Sequence, residues 1–224
     1  MIRHLPPHEM LVDYASGALP QPVAIAVATH AQLCDESRDR IAALEGVGGA
    51  MMMNLAPVAM SDDALDRVLE RLDAPSVVDS QEGDAPALEN SSVDDLERAL
   101  PADIRARLAH GDDGIRWLRK GSAVESAEIS ADVDGYDVRL LRIGAGKAVP
   151  QHTHEGLEVT LCLTGSYQDD GKRFAKGDFQ VADPSIDHRP VADTGEDCIV
   201  LAVVERRIRL TGLFGRIINP FVRL

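Results

Sequence analysis

The chain has 224 residues, 45% of them apolar and 27% charged, with 37 acidic against 23 basic residues and a net charge of −14. That apolar share suffices for an ordinary core and argues against global disorder, while the acidic balance repels phosphate backbones, so direct DNA or RNA binding is not expected. With three cysteines, a start (MIRHLPPHEM) without an apolar h-region, and no run of about 20 apolar residues, the expectation is a cytoplasmic protein with reduced thiols and no membrane span.

In chain order, the first 73 residues read as helices. EMLVDYASGAL (9–19) has helical apolar spacing and stops at Pro20. PVAIAVATHAQLC (22–34) opens on proline, which suits a first helical position. It is apolar almost all round, so it should be buried or covered by a partner. RDRIAALEGVGGAMMMNL (38–55) begins as a helix and is weakened by Gly46, Gly48 and Gly49. Its Met51, Met52 and Met53 read as gap-fillers of a core, with an adaptable partner surface as the alternative. SDDALDRVLERLD (61–73) offers Ser61 as N-cap, aspartates in the first turn and a stripe of Leu65, Val68, Leu69 and Leu72. Such helices predict a small bundle over residues 1–75, one completed on binding.

Residues 76–100 mix Pro, Ser, Gly and acids without periodicity and read as a linker. A short helix at 92–101 opens on a Ser-x-x-Asp capping pattern, and another is expected at 102–111. From about Gly121 the period changes. Asp134-Gly135 between two strand-like runs signals a hairpin. EVTLCLTGSYQ (158–168), GDFQVAD (177–183) and CIVLAVVE (198–205) follow as strands. Evenly spaced short strands indicate a β-sandwich or small barrel over 101–224. The apolar, basic tail 208–224 is expected on the barrel or at a dimer interface. Cys162 and Cys198 lie on strands and read as packing residues.

Three of the seven histidines fall in the strand-rich half with ligand spacing. His152 and His154 alternate on a strand and so share a face. Glu158 follows four residues later, and His188 can return from a later strand. Three imidazoles and a carboxylate suit Zn, Fe, Mn, Ni or Cu. They leave two positions open on an octahedral ion and close a tetrahedral zinc.

Gly146, His152-Thr153-His154, Glu158 and Gly165 match the first cupin motif in identity and spacing. Gly177 and His188 match the second, in which Asp183, Ser185 and Ala192 replace the usual proline, glycine and asparagine. This half therefore resembles the cupins, which implies a double-stranded β-helix barrel holding one divalent transition metal, zinc first and iron, manganese or nickel as alternatives. The expected fold class is α plus all-β in two domains, a small helical bundle and a C-terminal cupin.

In the first half His30 and Cys34 lie four apart on one helical face. The pattern resembles the His-x3-Cys-x2-Cys motif of zinc-binding anti-sigma domains. With RHLPPHEMLVDYASGAL, APVAMSDDALDRVLERLDAP and GEDCIVLAVVERRIRLTGLFGRIINPF, nearly the whole chain resembles the ChrR family of anti-sigma factors. Ser37 stands where the second motif cysteine belongs and Leu5 where the N-terminal histidine belongs. A second zinc would thus rest on His30 and Cys34, with His4 or His8 as a shifted substitute. The resemblance implies a non-enzymatic regulator whose helical half sequesters an extracytoplasmic-function-type sigma factor. Its metal-bound cupin would sense singlet oxygen or a related oxidant, and a homodimer could form through the cupin. The alternative from the residues is a metal-dependent cupin enzyme, dioxygenase-like, with a helical docking or oligomerisation piece.

Overall fold

The computed structural model describes residues 2–73, 110–111, 114–133, 135–206 and 208–211. The linker over 76–100, its short helix and the tail beyond 211 lie outside the described residues. The helical half comprises α1 (His8–Ala15), α2 (Gln21–Leu33), α3 (Asp35–Met53) and α4 (Ala64–Asp73). The strands are β1 (His110–Gly111), β2 (Gly114–Ile115), β3 (Leu118–Lys120), β4 (Val124–Val133), β5 (Tyr136–Ile143), β6 (His152–His154), β7 (Glu158–Thr164), β8 (Ser166–Asp169), β9 (Lys172–Ala175), β10 (Phe179–Ala182), β11 (Val191–Ala192), β12 (Cys198–Glu205) and β13 (Ile208–Leu210). Because His110 and Gly111 form β1, the helix expected over 102–111 does not reach its predicted end.

A six-stranded antiparallel sheet runs in the order β10-β7-β12-β5-β4-β3 and faces a smaller sheet, β11-β8-β9. This is the expected barrel. Val133 pairs with Tyr136 across a two-residue loop, and Gly135 adopts φ 82°, which a side chain would resist. The large sheet is covered on both faces, and β7 and β12 therefore read as near-continuous apolar runs instead of alternating ones. Cys162, Val200, Ile143 and Val124 cluster on the barrel side. Val138, Leu140, Val159, Leu161, Leu201 and Val203 point the other way and meet Leu11, Val23, Ala26, Val27 and Ile41 of the helices. The apolar character of α2 is thus explained within the chain.

Helix α3 runs unbroken through its three glycines, because it is anchored early by buried Ser37 and Ile41 and needs no core contact near its end. Helix α4 starts at Ala64, later than Ser61 suggests. Ser61 instead closes a turn by accepting the amide of Ala64 at 2.9 Å. Met51, Met52 and Met53 are 69%, 71% and 86% exposed, so the expectation that they fill a core is corrected to the surface alternative. Leu55, Val58, Met60, Leu65, Val68 and Leu69 are exposed with them. No helix among the described residues is long and apolar enough to cross a membrane.

Candidate metal centre

The two ends of the site are held by backbone pairing. His152 and His188 exchange both amide–carbonyl bonds at 3.0 Å, which sets the loop 183–190 beside β6. The hydroxyl of Thr153, pointing outward between the two histidines, donates to the carbonyls of Pro184 and Ile186 at 3.1 and 2.8 Å. On its other edge β6 pairs with β13, Ile208 opposite His154 and Leu210 opposite His152. The departures from the cupin loop pattern partner each other. The Asp183 carboxylate accepts the Ser185 amide and hydroxyl at 2.8 and 2.5 Å, closing the turn without proline or glycine.

His152, His154, Glu158 and His188 are buried and their ligating atoms all lie within 4.8 Å of one another. Nε2 of His188 is 3.1 Å from Nε2 of His152 and 3.2 Å from that of His154. Glu158 Oε2 lies 2.6 Å from His154 Nε2 and 3.4 Å from His188 Nε2. Donors about 2.1 Å from one cation sit about 3.0 Å apart on an octahedral edge and about 3.4 Å apart on a tetrahedral one. The four residues therefore have the chemistry and spacing of a mixed nitrogen–oxygen cage that could hold a metal ion.

Outer partners orient two of the three rings, and the Nδ1 of His154 is buried without one. His152 Nδ1 donates to the Pro150 carbonyl at 2.8 Å, which fixes the ring with Nε2 facing the cage. His188 Nδ1 donates to Asp169 Oδ2 at 2.6 Å. Asp169 also accepts from Gln180 Nε2 at 2.6 Å, and the Tyr167 hydroxyl donates to Gln180 Oε1 at 2.7 Å. Burial alone would raise the Glu158 pKa, but bonds from His152, His154 and His188 outweigh it and hold the carboxyl well below its ordinary range. Burial opposes protonation of His188, yet its bonds to Asp169 and Glu158 push its pKa up to about 9. Asp169 escaped the sequence reading because Asp169-Asp170-Gly171 looks like turn chemistry, which it also is: β8 and β9 meet there. A cavity of about 510 Å³, lined mainly by apolar side chains such as Leu141, Val149 and Val200, opens onto the cage.

His30 and Cys34 are not assembled into such a site. His30 is fully buried; its Nδ1 donates to the Gly177 carbonyl at 2.9 Å, and the Ser37 hydroxyl donates to its Nε2 at 2.8 Å. Both ring nitrogens are engaged, and burial holds the imidazole pKa down. Cys34 is buried at the α2–α3 junction. No third ligating side chain joins the pair among the described residues, and neither His4, packed at a tilt against Phe174, nor the exposed His8 substitutes. These residues do not fit a zinc ion.

Fold and site together define a cupin with a buried cluster of three histidines and one glutamate, and with a helical module docked on its outer wall. The sequence profile of the ChrR cupin-like domain matches residues 106–206. The anti-sigma-E factor ChrR of Cereibacter sphaeroides is 36% identical over 223 residues, spanning 100% of this chain and 99% of the relative. The crystal structure of Rhodobacter sphaeroides SigE in complex with the anti-sigma ChrR superposes with a TM-score of 0.74 at 38% identity, covering 91% of this chain and 99% of that one. The chain belongs to the ChrR family of anti-sigma factors.

Proposed function

We propose that this chain binds an extracytoplasmic-function-type sigma factor through its helical half and releases it when an oxidant of the singlet-oxygen kind acts at a metal-loaded cupin. The observation that carries the reading is full-length similarity, through helices and cage alike, to a protein that has been crystallised with a sigma factor. Membership of a family of regulators also sets the cupin-enzyme alternative aside. The surface offered to the partner would be the exposed apolar run from Met51 to Leu69, flanked by the acids Asp62, Asp63, Asp66 and Glu70. An exposed apolar patch of that kind in an acidic protein suits a partner that is apolar at its centre and basic around it.

In this reading His152, His154, Glu158 and His188 hold one divalent transition metal, with zinc the first expectation. The bound ion would supply Lewis acidity and a point at which oxidation alters the ligands. The chain's own part is to aim three Nε2 lone pairs and a carboxylate at one position. Residues 1–75 would form the sigma-binding unit and 101–224 the sensor, joined by 76–100. The test is a pull-down of the tagged full-length chain from its host's cytosol, with and without a photosensitiser and light. A sigma factor recovered in the dark and lost after illumination is expected; recovery of none in either condition refutes the reading.

A further inference from the structure

The four residues Gly177, Asp178, Phe179 and Gln180 touch both halves of the molecule. Gln180 faces the cage: its amide donates to Asp169 Oδ2, the same oxygen that takes the His188 Nδ1 proton. The other oxygen of Asp169 is buried without a partner. Two donors therefore crowd one oxygen while the other is idle, so a turn of the His188 ring is transmitted to Asp169 and to Gln180. The three residues before Gln180 face the helices. The Phe179 amide donates to the His4 carbonyl at 2.9 Å, and its ring meets His30 edge-on with centroids 5.6 Å apart. The buried carboxylate of Asp178 accepts the backbone amides of Arg3 and His4 at 2.6 and 2.9 Å with one oxygen, and that of Ala175 at 2.8 Å with the other. Gly177 accepts from His30, its φ of 87° is strained for any residue with a side chain, and a Cβ there would run into the Ile2 side chain.

The helical module thus has a second fastening besides its apolar face, and it is built where the family would place zinc. We infer that residues 177–180 relay the state of the metal cage to the helical module, with Gln180 as the positioning residue on the cage side and Asp178 and His30 as the clasp on the helix side. The inference rests on the reading of the cage as a metal site. It differs from it in naming the route, and in making the helical half independent of zinc.

The experiment is amide hydrogen exchange on the full-length chain, metal-free and loaded with Zn²⁺, alongside zinc stoichiometry. Loading is expected to slow exchange at the amides of Arg3, His4 and Phe179 at least fivefold. At saturating Zn²⁺, Gln180→Met should still hold one zinc per chain, with weaker affinity, and lose that slowing. Asp178→Asn should exchange faster at Arg3 and His4 in both states, with stoichiometry still one. Zinc uptake by the wild type without a change at these amides, or an undiminished change in Gln180→Met, overturns the relay alone. Two zinc ions per chain overturn the zinc-free helical module. A wild type that takes up no zinc overturns the relay and the metal site together.

Discussion

Metal uptake should depend steeply on pH, and the cause is His188. Its ring lies between Asp169 and Glu158, which raise its pKa to about 9 in the metal-free chain in spite of burial. Ligation needs the Nε2 lone pair, so binding expels the proton. About two units below that pKa roughly one site in a hundred is deprotonated, and apparent affinity at pH 7 should be about a hundredfold weaker than its plateau, rising tenfold per pH unit. Chelator competition with Zn²⁺ at fixed ionic strength between pH 6.5 and 9.5 measures this slope. In Asp169→Asn the steep segment should move toward the ordinary histidine value of 6.5, and the plateau affinity should fall about 10–100-fold for want of the outer carboxylate. The stability of the metal-free chain should run the other way. A histidine pKa raised from 6.5 to about 9 contributes stability that is complete below 6.5 and lost as pH rises through 9. Glu158, with its pKa depressed, contributes throughout that window. Affinity that is flat from pH 7 to 9 would refute the account of His188.

Other outcomes follow from the same geometry. His154→Ala and Glu158→Gln should each reduce the metal content of purified protein from one ion per chain toward none by elemental analysis. Leu140→Ala, at a fully buried position between sheet and helices, should lower unfolding free energy by about 2–5 kcal/mol in urea titration. Leu65→Asp with Val68→Asp should leave the far-ultraviolet circular dichroism and melting temperature unchanged, since both positions are exposed, yet abolish sigma-factor recovery. The Cys162 and Cys198 sulfurs lie 3.9 Å apart and buried, and their contact together with burial drives the Cys162 pKa upward. A maleimide should therefore leave all three buried cysteines unmodified in the native chain and label three in denaturant.

The cage was legible because it obeys short-range rules. His152 and His154 share a face by strand alternation, and the cupin spacing brought in Glu158 and His188. The rest depended on pairing that no local pattern encodes. Asp169 was hidden in turn chemistry, and Gln180 in a strand otherwise read for its hydrophobics. The apolar girth of α2 was visible, but not that the sheet covers it, because a partner would leave the same pattern. Met51–Met53 misled for the converse reason: apolar composition predicts burial only where there is something to be buried against. His30 kept its place in a zinc motif while its two nitrogens had been taken by Ser37 and Gly177, a change announced by the single serine at position 37.

The strength of the docking constrains how a signal can travel. Leu11, Val23, Val27 and Ile41 are no more than 6% exposed. Burying such side chains is worth about 1.5–3 kcal/mol each, an upper figure because denatured chains are partly compact. Even half of that total, on the order of 3–6 kcal/mol, exceeds what the loss of one or two hydrogen bonds supplies at about 1 kcal/mol each. Driving the helices off the sheet, from 1:99 to 99:1, would take about 5.5 kcal/mol of differential energy. A change confined to His188, Asp169 and Gln180 is too small for that. It is the right size to loosen the Asp178 clasp while the apolar face stays seated. The exposed run from Met51 to Leu69 needs no undocking to reach a partner. The coupling to be sought is therefore a shift in partner affinity of about 5–150-fold, the range that 1–3 kcal/mol gives, read through the order of the docked helices and not through their departure.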